Sequence, residues 1–137
     1  MTTPLETATI DTPAGPFWLA ALDGTLVGAG FADSAPRLLA RLEARFGPLS
    51  PRAADDPAGA ITALRRFLAG DLAALDAVPV DLGGTPFQRD VWRALREIPA
   101  GSTITYAELA RRVGRPRAVR AVGAANGANP VSIVVPC

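Results

Sequence analysis

The chain of 137 residues is long enough for one full domain or two small ones, and its 49% apolar residues are enough to form a core. It carries 14 arginines, no lysine, 13 acidic residues, one cysteine and no histidine, which excludes an internal disulfide and leaves no soft ligand set for zinc. With no basic leader and no apolar run near the ~18 residues of a membrane-spanning helix, we expect a cytoplasmic protein without a metal or a membrane partner.

The first third of the sequence has the pattern of β-strands. Apolar-rich runs lie at 8–12, 17–22 and 25–31. The Asp23-Gly24 step separates the last two runs, and Asp-Gly between apolar segments is a strong hairpin signal. We therefore predict strands here, the last two paired as a hairpin.

The middle of the sequence alternates between helical patterns and loop signals. Apolar residues at helical spacing predict helices over 36–46 and 58–75, and the composition of 47–57 predicts a loop between them. A short strand is expected at 78–82. The Gly83-Gly84 step that follows marks the predicted boundary between two domains.

The next helix has a well-marked start at Thr85-Pro86-Phe87-Gln88. Threonine at the N-cap, proline at the first helical position and glutamine two residues later form a capping box. The helix is expected to end at Pro99-Ala100-Gly101, with Arg89, Arg93 and Arg96 pointing largely away from its buried face. We interpret that arginine face as an ordinary solvated surface, with a functional role as the alternative.

Two short helices follow, joined by a tight turn. Thr105-Tyr106-Ala107-Glu108 is a second capping box, and the helix that it begins is expected to end at Gly114. Arg115-Pro116 forms the turn, and the next helix is predicted over 117–126. Residues of about 105–126 therefore form a predicted helix-turn-helix.

Positive charge is concentrated on this helix pair. Residues 1–85 hold 6 arginines and 10 acidic residues, a balance of −4, whereas 86–137 hold 8 arginines and 3 acidic residues, a balance of +5. The arginines of the pair are Arg111, Arg112, Arg115, Arg117 and Arg120. Because this density can release counterions from a phosphate backbone, we expect the second part of the chain to bind DNA.

The second helix of the pair is built mainly from small residues, among them Ala118, Ala121 and Gly123. A thin helix can lie close against a sugar-phosphate surface or enter a groove. The alternative is that alanine and glycine only permit close helix packing and that a GC-rich genome explains the arginine content. We favour DNA contact.

The single cysteine, Cys137, is the candidate nucleophile. A lone cysteine is more often a small buried hydrophobe. Here Pro130 and Pro136 bracket an apolar stretch of five residues, which would hold the thiol at a fixed depth behind the basic helix. The amide of Asn129 either locks that helix to the cysteine segment or only forms an Asn-Pro turn.

Seven motifs in the second half of the chain occur at spacings that characterise one known family. The motifs are Gly84-Thr85-Pro86-Phe87-Gln88, Val91-Trp92, Ile98-Pro99-Ala100-Gly101, Thr105-Tyr106-Ala107-Glu108-Leu109-Ala110, Arg120-Ala121-Val122-Gly123, Asn129-Pro130 and Pro136-Cys137. They strongly resemble the methylated-DNA–protein-cysteine methyltransferases, the O6-alkylguanine-DNA alkyltransferases of DNA repair. Residues 1–82 fit the variable N-terminal domain of that family only in outline.

The resemblance implies an α+β fold in two parts. A ribonuclease H-like domain of strands and helices spans 1–82, and a helical, winged helix-turn-helix-like domain for DNA binding and catalysis spans 83–137. The implied activity is a stoichiometric, irreversible transfer of the alkyl group of O6-alkylguanine, or O4-alkylthymine, in double-stranded DNA to the active-site cysteine. No cofactor is implied, and a monomer is expected.

The resemblance also assigns roles to single residues. Cys137 matches the alkyl acceptor, and Asn129 matches the residue that ties the helix pair to the active-site strand. Tyr106 matches the tyrosine that helps to rotate the nucleotide out of the stack and hydrogen-bonds the extruded base. Arg120 matches the arginine finger that fills the vacated space. The neighbours expected to contact DNA are Arg117, Ala118, Ala121 and Gly123.

The sequence departs from the family after its last residue. In the family, histidine and arginine follow the cysteine, and a glutamate orients the histidine, a relay that lowers the thiol pKa. We therefore expect the sequence to be a C-terminally incomplete record of an alkyltransferase. The alternatives are a non-catalytic DNA-binding module that senses damage or regulates transcription, and an inactive fragment.

Overall fold

The computed structural model describes residues 2–99 and 102–130, so Cys137 and the segment before it lie outside the described residues. Within these ranges the chain forms one four-stranded sheet and five α-helices. The mixed α+β class predicted from the sequence is confirmed. No described helix is long and apolar enough to cross a membrane.

The first three strands form an antiparallel meander: β1 (Thr3–Thr12), β2 (Gly15–Leu22) and β3 (Thr25–Phe31). Asp23 and Gly24 join β2 to β3, and both have positive φ, 48° and 76°. Two consecutive positive φ values are the requirement of the tight turn that suits the twist of a hairpin. The hairpin prediction is confirmed.

A fourth strand was not expected from the sequence. Helix α1 (Ala35–Phe46) matches its prediction, but the predicted loop over 47–57 is wrong because β4 (Leu49–Ala53) lies within it. This strand pairs parallel with β1 at the edge of the sheet, giving the order β3-β2-β1-β4. Only Leu49 of β4 is buried, so no alternating pattern signals the strand, and its edge position tolerates Pro51.

The segment after β4 also differs from its prediction. Helix α2 (Ala60–Leu68) ends well before residue 75, and Gly70, with φ of 109°, and a 3-10 turn at Ala74–Ala77 follow it. The strand predicted over 78–82 is reduced to a single parallel bridge between Val80 and Leu26.

Three helices complete the described fold: α3 (Pro86–Arg96), α4 (Tyr106–Arg112) and α5 (Val119–Gly127). Helix α5 begins two residues later than predicted, because the N–H of Ala118 closes a turn on the carbonyl of Arg115 at 2.9 Å before the helix starts. The tight connection between α4 and α5 agrees with the predicted helix-turn-helix order.

The two predicted capping boxes have different outcomes. Thr85 and Gln88 exchange hydrogen bonds in both directions, at 3.1 and 3.0 Å, and confirm the first. At the second, Thr105 accepts from the N–H of Glu108 at 3.1 Å, but the Glu108 carboxylate pairs with arginines one turn further along α4. The helix start is therefore correct, and the reciprocal half of the second box is absent from the described contacts.

Arg96 corrects the prediction for the arginine face of α3. Its guanidinium is directed at the 3-10 turn, where Nη2 donates to the carbonyls of Leu75, Asp76 and Val78 at 3.1 to 3.4 Å. Arg89 and Arg93 are exposed as predicted. Arg96 thus ties α3 to the segment that leads out of α2.

One hydrophobic cluster links the sheet, α2 and the three C-terminal helices. Its fully buried members include Phe17 from the sheet, Leu64 from α2, Val91 from α3 and Val122 from α5. A smaller cluster packs the other face of the sheet against α1. Buried packing therefore continues across the boundary predicted at Gly83-Gly84, and the sheet supports the helices that carry the predicted site.

Candidate DNA-binding and active site

Tyr106 lies where α4 meets α5. It is the first residue of α4, and its side chain is 48% exposed. Its hydroxyl oxygen accepts a hydrogen bond from Nδ2 of Asn126 at 3.1 Å. A Cβ atom added to Gly123 would lie 3.3 Å from Cε2 of the ring, so the ring rests directly on the α5 backbone. One face of the ring is therefore held by α5 while much of the side chain remains open to solvent.

Asn126 is a functional candidate that the sequence reasoning missed. The residue is only 9% exposed, and its Oδ1 has no hydrogen-bond partner among the described residues. A signal was present: Val122, Ala125 and Asn126 share the buried face of α5, and asparagine is the one polar residue of the three. Buried polar atoms are nearly always hydrogen-bonded, so an orphan acceptor beside a predicted site residue requires an explanation.

The position of α5 is set by neighbours on both sides. The indole Nε1 of Trp92 donates to the carbonyl of Ala125 at 2.8 Å in a buried contact between α3 and α5. After the helix, the N–H of Asn129 donates to the carbonyl of Asn126 at 3.3 Å, and the N–H of Ala29 in β3 donates to the carbonyl of Pro130 at 3.0 Å.

Asn129 is buried, with 8% exposure. The chain therefore leaves α5 against the sheet as it enters the segment that precedes Cys137. Cys137 itself lies outside the described residues.

The arginines of the helix pair are not equivalent. Arg111 and Arg112 share the carboxylate of Glu108 in i,i+3 and i,i+4 ion pairs, which partly neutralises them. The guanidinium of Arg115 lies over the ring of Phe87, 5.5 Å from its centroid.

The side chains of Arg117 and Arg120 are exposed and form no ion pair with another described residue. The free positive charge of the pair is therefore concentrated at the start of α5.

Small side chains cover the outward face of α5. Ala121 and Ala124 are exposed, Ala118 is half-buried at the N-cap, and Val119 is 36% exposed. The sequence expectation of a thin helix is therefore realised as an exposed strip of small apolar groups beside the unpaired arginines. Gly123 lies on a different side, since it faces the Tyr106 ring.

Comparisons with known proteins agree with this arrangement. Residues 86–137 match the family model for the DNA-binding domain of 6-O-methylguanine DNA methyltransferase. A methylated-DNA–protein-cysteine methyltransferase from Shigella flexneri is 43% identical over 131 residues, which are 93% of this chain and 77% of the relative. This chain belongs to that family. A second member, from Mycobacterium tuberculosis, is 42% identical over 132 residues, which are 94% of this chain and 73% of the relative.

Solved structures of the methyltransferase family have the same fold. The M. tuberculosis O6-methylguanine methyltransferase superposes with a TM-score of 0.74 at 36% identity, covering 97% of this chain and 76% of the other. A structure of M. tuberculosis OGT in complex with DNA gives 0.73 at 37% identity, covering 98% and 76%. The enzyme from the hyperthermophilic archaeon Pyrococcus kodakaraensis gives 0.72 at 27% identity, covering 97% and 83%.

The structure brings some of the predicted site residues of this methyltransferase together and leaves others apart. Tyr106 and Gly123 are in contact across α4 and α5. Asn129 follows α5 directly and is hydrogen-bonded to its last turn. The remaining described candidates lie at and after the start of α5: Arg117, Ala118, Arg120 and Ala121.

Proposed function

We propose that this protein repairs DNA by transferring the alkyl group of O6-alkylguanine, or of O4-alkylthymine, to the thiol of Cys137. The thiolate sulfur attacks the alkyl carbon, an S–C bond forms, and the C–O6 bond breaks with its electron pair left on the guanine oxygen. The product is S-alkylcysteine, so each molecule reacts once. The reaction requires no cofactor or metal, because both the nucleophile and the leaving group are supplied by the two partners.

The observation that carries this proposal is the exposed Tyr106 side chain, held on α5 beside the unpaired cationic start of that helix. An alkyl group on O6 is inaccessible in stacked DNA, so the nucleotide must leave the helix at a cost of a few kcal/mol. An exposed aromatic residue with a hydroxyl group suits contact with an extruded base. We assign this contact to Tyr106, as the family resemblance implies.

The surface of α5 supports a DNA-binding mode in the minor groove. The exposed strip of small residues allows close approach of the helix, and Arg120 is free to enter the space that the rotated base leaves. Arg117 is free to contact phosphate. Ala118, Ala121 and Gly123 provide the narrow cross-section, and Asn129 ties α5 to the segment that ends at Cys137.

Finer features of the fold belong to the same proposal. The mixed sheet, with β4 parallel to β1 at its edge, supports a ribonuclease H-like N-terminal domain over 1–82. The α4–α5 pair supports a winged helix-turn-helix-like domain over 83–137. A monomer that acts on double-stranded DNA in the cytoplasm completes the proposal.

Mass spectrometry of the protein after incubation with a duplex containing O6-methylguanine tests the reaction. We expect a methyl group to replace one hydrogen on the peptide that contains Cys137, and no change with a guanine duplex of the same sequence. Binding to the lesion duplex without any mass gain would contradict transfer and favour the non-catalytic damage-sensing module. A Cys137→Ala variant is the control, since it should bind the duplex and gain no mass.

The salt dependence of binding tests the DNA interface. We expect Arg117→Ala to reduce the slope of log K against log salt by about 0.9, the value for one released phosphate contact. Arg112→Ala should reduce it by less, because Glu108 already neutralises part of that charge. Equal slopes for these two variants and the parent would contradict a role for Arg117 at phosphate.

A further inference from the structure

We propose that Asn126 is a positioning residue that orients the Tyr106 hydroxyl so that its proton is directed outward, toward an acceptor nitrogen or oxygen of a bound nucleobase. This inference rests on the proposed function and extends it to a residue outside the predicted site. It assigns Tyr106 the role of hydrogen-bond donor rather than acceptor.

The direction of one hydrogen bond carries the argument. Nδ2 of Asn126 donates to Oη of Tyr106 at 3.1 Å. A phenolic oxygen has one proton to donate and also accepts. When the asparagine occupies the inner side of the oxygen as a donor, the phenolic proton must turn away from it, toward the exposed side of the residue. A base that reaches Tyr106 therefore meets a donor.

Gly123 restricts the ring from the second direction. A methyl group at position 123 would already be 3.3 Å from Cε2 and 3.5 Å from Cδ2, so the ring is in close contact with the α5 backbone. The hydroxyl is held at one end by Asn126 and the ring face is held by Gly123. Two contacts from one helix thus define both the position and the polarity of the hydroxyl group.

The orphan atom of Asn126 indicates that this arrangement was not selected for stability. Its Oδ1 is buried with no hydrogen-bond partner among the residues that the structure describes. Leaving a buried acceptor unsatisfied is unfavourable, and an apolar side chain of similar size would avoid that penalty. The side chain also plays no part in ending α5, because the N–H groups of Ala128 and Asn129 bond to backbone carbonyls there.

Replacement of Asn126 by leucine separates positioning from a structural role. We expect Asn126→Leu to unfold at the same temperature as the parent or at a higher one, because the orphan oxygen is removed and water can satisfy the half-exposed Tyr106 hydroxyl. The transfer rate constant at saturating O6-methylguanine duplex should fall about three- to tenfold, which corresponds to the loss of one hydrogen bond. Affinity for undamaged duplex should not change, since Asn126 is buried and uncharged.

A double-mutant cycle with Tyr106→Phe identifies the group through which Asn126 acts. If the effect passes through the Tyr106 hydroxyl, Asn126→Leu should not slow transfer further once that hydroxyl is absent. Additive effects would overturn the inference, as would a rate unchanged in the single variant or a rate that falls only together with the melting temperature. Absence of transfer by the unsubstituted protein would overturn both this inference and the proposed function, whereas transfer that is insensitive to Asn126 overturns the inference alone.

Discussion

Replacing Gly123 by alanine tests how closely the Tyr106 ring must approach α5. The new Cβ would lie 3.3 Å from Cε2, inside the 3.4 to 4 Å range of ordinary contact. The ring must therefore retreat by a few tenths of an ångström. Its hydroxyl starts 3.1 Å from Nδ2 of Asn126, so the same displacement brings that hydrogen bond close to the length at which it becomes weak.

The expected changes in stability and activity have different signs. Alanine is favoured over glycine in a helix interior by about 1 kcal/mol, and displacement of a half-exposed ring offsets part of that gain. We expect the free energy of unfolding to stay within about 1 kcal/mol of the parent value. Transfer should slow by roughly two- to tenfold, because the hydroxyl loses part of one hydrogen bond worth about 0.5–1.5 kcal/mol.

Gly127→Ala is the matched control. Gly127 belongs to the same helix, and an added Cβ would meet no atom within 4 Å. Urea unfolding and single-turnover transfer to Cys137 should be measured for both variants. Equal transfer rates for Gly123→Ala and Gly127→Ala would refute the reasoning, since the close approach at Gly123 would then have no influence on the Tyr106 hydroxyl.

Two further predictions concern stability. Burial raises the pKa of Asp56, but hydrogen bonds from the hydroxyl and N–H of Thr62 and from the next amide outweigh it and hold that pKa below its ordinary value. The stability from this cap of α2 should be complete above about pH 4 and should decline as pH falls through the lower folded pKa, so Asp56→Asn should flatten the acid limb of urea-unfolding titrations. Gly84→Ala should lower the free energy of unfolding by about 1–3 kcal/mol more than Gly114→Ala, because both have φ of 76° but only the Cβ at 84 would lie 2.8 Å from the Trp92 ring. Equal losses in chemical denaturation would contradict that clash.

Several misjudged elements share a physical cause: their structure depends on partners distant in the sequence. The strand β4 has one buried side chain, and pairing with β1 stabilises it at the edge of the sheet. The helical pattern predicted over 58–75 continues past the point where α2 ends. The side chain of Arg96 was expected in solvent, but carbonyl groups about twenty residues earlier in the chain draw it inward.

The sequence by itself determined the features that depend on neighbouring residues. The Asp23-Gly24 hairpin, the starts of α3 and α4 at threonine caps, and the uneven distribution of charge all follow from short-range geometry or from counting. Family membership was also readable, because the motifs of the second half keep their spacing.

Only the tertiary structure decided which of these residues act together. Asn126 and Tyr106 are twenty residues apart, and they meet because α5 packs across the start of α4 at Gly123. The pairing of Glu108 with Arg111 and Arg112 leaves the free charge on Arg117 and Arg120. The polarity of a hydroxyl group and the distribution of unpaired charge depend on three-dimensional contacts, which residue spacing alone does not specify.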